Sequence, residues 1–274
     1  LLINDVVSEL VTPIDIQVGK PWLADLKDGG LNDFFSLAQN WLKDCDKSHE
    51  DCRARENHRI PTRLIDVGNL QTPVLRLVET KHESILSPHY IALSHPWGNT
   101  DAYEPFVTLR KDDSGAGRDL PRFTKSIPYD ELPNTFKHAV YCTRNLNIRY
   151  LWIDSICIIQ GMDGDFAHEA QTMEDVYSGA YCVVAASRAS DQRDGFLGAR
   201  PRRNFVTFQP ENPFYVCQVI DRFNEDVIEG PLNQRGWVLQ ERALARRTIY
   251  FTKNQTYFEC GEGVRCETLT KMQK

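Results

Sequence analysis

A chain of 274 residues, 41% hydrophobic and 26% charged, has room for one large α/β domain or two small ones, and its composition is that of an ordinary globular protein. Its net charge of −6 excludes the broad basic footprint of a non-specific nucleic-acid binder, so no nucleic-acid partner is expected. No apolar run nears the roughly 20 residues of a membrane helix; the longest, "YLWIDSICII", is interrupted by an Asp, so no membrane partner is expected either.

The opening "LLINDVVSEL" lacks the basic start and small-residue cleavage site of a secretion signal. The chain lacks an initial Met and stops on "TKMQK", which suggests a fragment of something longer. Its eight Cys are irregularly spaced, with no C-x-x-C pair. They read as the reduced thiols of a cytosolic or nuclear protein, and the expected compartment is cytoplasmic. Two basic clusters, "GARPRR" and "RALARR", read as solvated surface.

In chain order, residues 1–30 form an irregular lead-in. Residues 31–54 carry Phe34, Leu37, Trp41 and Cys45 at helical spacing, which predicts a helix docked through Phe34, Leu37 and Trp41. "PTRLIDVG" and "PVLRLVET" predict a hairpin. "HYIALSHPWG" (89–98) is a strand ending in a turn, and the polar stretch 99–131 reads as a long loop. An amphipathic helix follows at 133–147, with Phe136, Ala139, Val140, Thr143 and Leu146 inward. "IRYLWIDSICII" then reads as one buried strand. The helix predicted at 165–178 turns Phe166, Ala170, Met173 and Tyr177 inward and leaves Glu169 and Glu174 solvated. "YCVVAAS" is a further buried strand, and the loop-rich stretch 187–231 holds two strand candidates, "NFVTFQ" and "FYVCQVI". A helix at 235–245 and the strands "RTIYF" and "QTYFEC" close the pattern.

Apolar strands alternating with amphipathic helices imply an α/β fold, with a mostly parallel sheet and helices on both faces. Strands near 90–94, 150–154, 181–186 and 248–251 should share that sheet. Residues 1–59 read as an N-terminal helical extension and 60–274 as the α/β domain. Ligands of such sheets bind beyond the strands' C-terminal ends, where "SHPWG", "DSICIIQ" and the start of the 235–245 helix lie. There is no G-x-G-x-x-G, G-x-x-x-x-G-K-[ST] or G-x-S-x-G.

The 235–245 helix poses a chemical question. Trp237, Glu241 and Leu244 share one face, yet a buried carboxylate is costly unless paired or hydrogen-bonded. Arg235, Arg242, Arg246 and Arg247 are near enough in sequence to make it a structural ion pair. The other reading is chemical: a carboxylate beside an indole at the mouth of a sheet suits work on a cation.

Four blocks in order, "YIALSHPWG", "YLWIDSICIIQ", "EAQTMEDVYSGAYCVVAAS" and "RGWVLQERALARRTIYFTKNQTYFEC", resemble the fungal heterokaryon-incompatibility (HET) domain over about residues 60–268. The preceding "WLKDCDKSHEDC" is similar to a segment often found before that domain. His95 stands where the family more often has Tyr. The resemblance implies a role in self/non-self recognition and regulated cell death of fused cells. It also implies a distant likeness to Toll/interleukin-1 receptor (TIR) domains, which are flavodoxin-like. Several TIR domains hydrolyse NAD with a Glu in a W-C-x-x-E setting; Trp237 and Glu241 have that separation, with Val238 in place of Cys.

What the resemblance implies for the site is Glu241 as catalytic carboxylate paired with Trp237; from their places at the strand ends and helix start, Ser94, Trp97, Gly98, Asp154, Arg235, Trp237 and Gln240 are ligand-binding candidates. NAD+ or a related nucleotide would be substrate, with no prosthetic group, and the partners would be further copies of the chain or a sensor domain in the full-length protein. A second reading is a TIR-like scaffold that signals by self-association without catalysis. Structural readings stand beside these: Pro96 and Gly98 as residues of the turn alone, Asp154 as a cap of the next segment, and Gln240 and Arg235 as surface. Cys157 reads as a buried small hydrophobe. Cys45, His49 and Cys52 form C-x3-H-x2-C, three zinc-type ligands with no neighbouring fourth. The expectation there is a helix end with buried thiols and no metal.

Overall fold

Four of the strands that are buried along their whole length form the middle of the sheet: Tyr90–Ser94, Tyr150–Trp152, Cys182–Ala185 and Arg247–Phe251. In the computed structural model, which describes residues 16–18, 31–53, 59–85, 87, 89–111, 118–208, 214–269 and 271–272, they lie side by side in parallel. The nine strands of the main sheet are β1 (Arg63–Gly68), β2 (Pro73–Glu79), β3 (Tyr90–Ser94), β4 (Tyr150–Trp152), β5 (Cys182–Ala185), β6 (Arg247–Phe251), β7 (Thr256–Cys260), β8 (Gly263–Cys266) and β9 (Lys271–Met272). Their spatial order is β9-β8-β7-β6-β5-β3-β4-β1-β2. The fold is therefore α/β, with the four expected strands parallel in the middle and antiparallel pairs on both flanks.

Among the parallel strands the order is second, first, third, fourth, the doubly wound order of flavodoxin-like sheets. The chain reverses direction across the sheet at β3 and β5, where Ser94 pairs with Ala185. The crevice outside this switch point is where such sheets bind ligands.

Helices cover both faces: α1 (Leu31–Ser48), α2 (Leu120–Lys125), α3 (Asn134–Asn145), α4 (Met173–Gly179) and α5 (Gly236–Leu244). On one face Trp41 of α1 stacks on Phe258, and Phe34 meets Phe251 edge-on. On the other, Tyr90 donates its hydroxyl to the Val176 carbonyl of α4 at 2.6 Å, and Val238 of α5 joins Ala185, Tyr250 and Tyr257. Alternate residues of β6 thus serve opposite layers. The inner residues expected of α3, Phe136, Ala139, Val140, Thr143 and Leu146, are all buried.

Several expectations need correction. The first helix stops at Ser48 instead of reaching 54, and a tight turn at Glu50–Cys52 follows. It docks as expected through Phe34 and Trp41, with Leu37 half-buried. The stretch 99–131 contains α2, whose first turn is capped by Asp119 accepting from the Arg122 amide at 2.8 Å; residues 112–117 of "KDDSGAGRD" lie outside the described residues. The strand expected through "IRYLWIDSICII" ends at Trp152, because Asp154 opens a helical turn, Asp154–Cys157, and accepts from the Ser155 amide.

The helix expected at 165–178 is broken by a 3₁₀ turn at Ala170–Thr172. That tighter turn rotates the first four residues out of phase with α4: Phe166 is 50% exposed, while Glu169 is buried. The basic clusters are not solvated surface throughout. Arg200 is buried against Glu267, and Arg246 donates to the carbonyls of Cys52, Ser178 and Ala180. Within the lead-in, Ile16–Val18 form a strand that joins Phe214–Gln218 and Phe205–Phe208 in a small antiparallel sheet. None of the helices described is long and apolar enough to cross a membrane.

Candidate functional site

The turn after β3 sets the first wall of the site. Gly98 has φ +77°, and a Cβ there would lie 2.4 Å from the Cβ of Asp191. Only glycine suits both the left-handed backbone and the close approach. The turn sends His95 inward and Trp97 toward Asp154. His95 is buried, with Nε2 3.0 Å from Asp154 Oδ1 and Nδ1 3.1 Å from the Pro96 carbonyl. Both partners are acceptors, so either ring nitrogen has a place to donate a proton.

Asp154 gathers three donors. Besides His95 it accepts from Trp97 Nε1 at 2.7 Å and from the Ser155 amide at 2.7 Å. Burial pushes its carboxyl upward, but the His95 charge and these hydrogen bonds outweigh that and hold it below the ordinary 3.8. Asp154 is thus a structural hub for the turn and for its own helix. Arg235, at the N-cap of α5, donates to the His95 carbonyl at 2.6 Å. "SHPWG", "DSICIIQ" and the start of α5 therefore meet in one place.

Glu241 lies over this hub. It is 8% exposed, and Oε2 is buried with no hydrogen-bond partner. Burial pushes its carboxyl from 4.5 up to about 6; the Asp154 charge adds to the push, while the Ser94 and Tyr177 hydroxyls and the His95 charge oppose it. The Ser94 contact stops short of full hydrogen-bond geometry, since Ser94 Oγ is also without a partner. Among the described residues no arginine is ion-paired with Glu241. Arg242 is bound to Glu259, Arg246 and Arg247 reach the Cys52 carbonyl, and Arg235 serves His95.

On its outer side Glu241 lines a cleft of about 420 Å³ between α4 and α5. Its other walls are Ala170, Gln171, Met173, Glu174, Tyr177, Gln240, Ala243 and Leu244, none of them basic. Sequence reasoning placed this cleft against "SHPWG" and "DSICIIQ". Those segments instead support Glu241 from beneath, and α4 forms the facing wall. Gln240 is exposed on the cleft and Gly98 shapes the turn. The Trp237 backbone stands one turn before Glu241 in α5, and its side chain lies outside the described residues. Cys157 is a buried apolar residue, as its sequence context suggested. Tyr177 was missed as a site residue. Helical spacing turned it inward, but nothing in the spacing aimed it at a residue 64 positions later.

A protein-family comparison matches residues 90–241, more than half of the chain, to "Heterokaryon incompatibility protein (HET)". Among curated proteins the chain is similar to heterokaryon incompatibility protein 6, OR allele, of Neurospora crassa, with 36% identity over 100 residues. That match covers 35% of this chain and only 14% of the Neurospora protein. No solved structure matches. The family match contains β3, β4, β5 and the helix up to Glu241, and the chain belongs to the heterokaryon incompatibility (HET) family.

Proposed function

We propose that this chain is an effector of fungal self/non-self recognition that acts as a NAD glycohydrolase, with Glu241 as its catalytic carboxylate. The observation that carries this reading is a buried, unneutralised carboxylate on the wall of a cleft with no basic lining. A structural glutamate would be paired there, because a lone buried carboxylate lowers stability. Strongly perturbed carboxylates in clefts mark functional sites.

The chemistry follows from charge. Hydrolysis of NAD breaks the bond between ribose and a cationic nicotinamide, and positive charge develops on the sugar. With its carboxyl at about 6, Glu241 is largely ionised at neutral pH and sits where it can stabilise that charge. Glu174 adds a second acidic group to the same cleft. This lining suits the cationic nicotinamide-ribose end, and a volume of about 420 Å³ suits part of a dinucleotide with the phosphates directed outward. Arg235, His95 and Asp154 position the support beneath Glu241 without touching the cleft.

A second reading, signalling by self-association, is favoured by the edge strand Phe205–Phe208. Phe205, Val206 and Phe208 are 47%, 59% and 41% exposed, and apolar side chains exposed together on one strand suit an interface. The two readings separate on incubating purified protein with NAD at low and high protein concentration. Nicotinamide release supports the enzyme; concentration-dependent assembly with NAD intact supports the scaffold.

A further inference from the structure

The helix end that carries Cys45, His49 and Cys52 meets a fourth residue that the sequence does not place there. Cys260, at the end of β7 and 211 positions beyond His49, turns its thiol toward the imidazole, with Sγ 3.4 Å from His49 Nδ1. One ligand atom from each of the four residues lies within 4.8 Å of all the others, and all four residues are buried. We infer that Cys45, His49, Cys52 and Cys260 form a structural zinc site that staples α1 to the β7–β8 hairpin.

The geometry fits zinc. With Zn–S near 2.3 Å and Zn–N near 2.0–2.1 Å, a tetrahedral centre has S···S edges of about 3.8 Å and S···N edges of about 3.6 Å. The 3.4 Å Cys260–His49 edge is already that length, and the remaining separations need only a small contraction. Four protein ligands leave no open position, which marks a structural and not a catalytic centre. The ligand set is soft, as zinc prefers over calcium or magnesium.

Three thiolates and one zinc carry a net charge of about −1. Arg247, the cross-strand partner of Cys260, is buried and donates to the Cys52 carbonyl, yet its Nε and Nη1 have no hydrogen-bond partner. Its Nη2 pairs with Asp46 Oδ1 at 2.6 Å, and an anionic thiolate centre beside Arg247 gives the two remaining donors an acceptor. Gly261 follows Cys260, and a Cβ at that position would come within 3.2 Å of Cys52 Sγ, so glycine there leaves room for the ligand. A groove lined in part by Asp51, Cys52, Cys260 and Gly261 gives the ion a way in. The cluster is independent of the proposed reaction, and its test needs no NAD.

The test is elemental analysis of the full chain, purified under reducing conditions from zinc-supplemented cells. Roughly one zinc per chain is expected in the wild type and in Cys142→Ala, which removes a buried thiol from α3. Cys45→Ala and Cys260→Ala should lose most of it. Should the alanine variants fail to fold, cobalt(II) titration of metal-stripped wild type decides: intense thiolate-to-metal charge-transfer bands are expected, and Cys260→His should retain four-coordinate binding. Wild type that holds neither zinc nor cobalt, full zinc in Cys260→Ala, or a Cys45–Cys260 disulfide found in the reduced preparation would each overturn the site.

Discussion

Arg235 Nη1 donates to the His95 carbonyl at 2.6 Å and so ties the N-cap residue of α5 to the turn after β3, 140 positions earlier. The bond fixes where α5 begins, and thereby where Glu241 lands. Arg235→Ala removes a charged donor from a carbonyl that is shielded by the fold. A loss of about 1.5–3 kcal/mol is expected, read by urea denaturation with an unchanged m-value.

Asp154 gives a prediction at acid pH. Its carboxyl is held below 3.8 against the upward push of burial, chiefly by His95. A depressed carboxyl contributes stability that is fully present above the unfolded value and lost as pH falls through the folded one. Asp154→Asn should cost about 3 kcal/mol at pH 7, since it leaves His95 without its charged partner. Below pH 3.8 the gap to wild type should narrow. Thermal melts across that range check it, and a gap independent of pH would contradict the assignment.

Glu241 has the opposite sign. Its carboxyl is raised from 4.5 to about 6, so the folded state favours the proton. The penalty for the buried ion is absent below pH 4.5, grows between 4.5 and 6, and is complete above 6. It amounts to about 2 kcal/mol. Glu241→Gln should therefore raise the melting temperature at pH 7 and leave it nearly unchanged at pH 4. A variant that melts earlier than wild type at pH 7 would show Glu241 to be a structural asset.

Much of this arrangement was legible in the sequence because it rests on local periodicity. The apolar run "YIALS" and the spacing of Phe136, Ala139, Val140 and Thr143 identify a strand and a helix face without any knowledge of the rest. Glu241 was legible because a carboxylate sat on an apolar helix face. What could not be read was set by tertiary contact. Glu169 is buried because a 3₁₀ turn shifts the helical phase, and Tyr177 faces Glu241 because α4 and α5 are neighbours. Arg246 and Arg247 look like surface in a basic run, but satisfy carbonyls of distant segments. Cys260 is invisible as a partner of Cys45, since only the antiparallel end of the sheet brings them together.

The docking of α1 can be tested on its largest contact. Trp41 is 4% exposed and stacks on Phe258 with ring centroids 5.9 Å apart. Trp41→Ala should cost about 3–5 kcal/mol by lost burial and cavity formation. If the cost were below about 1 kcal/mol, with α1 amides exchanging as freely as in a short peptide, α1 would not be part of the folded core.

The proposed role of the Glu241 charge is tested most directly by nicotinamide release from NAD by wild type and Glu241→Gln at matched, high protein concentration. Wild type should consume NAD, with a rate that rises with pH through about 6 as the carboxylate ionises. Glu241→Gln should lose about 10²-fold or more in kcat while remaining folded at pH 7. Wild type that leaves NAD intact at every concentration, or a Glu241→Gln variant that cleaves it at the wild-type rate, would contradict the account.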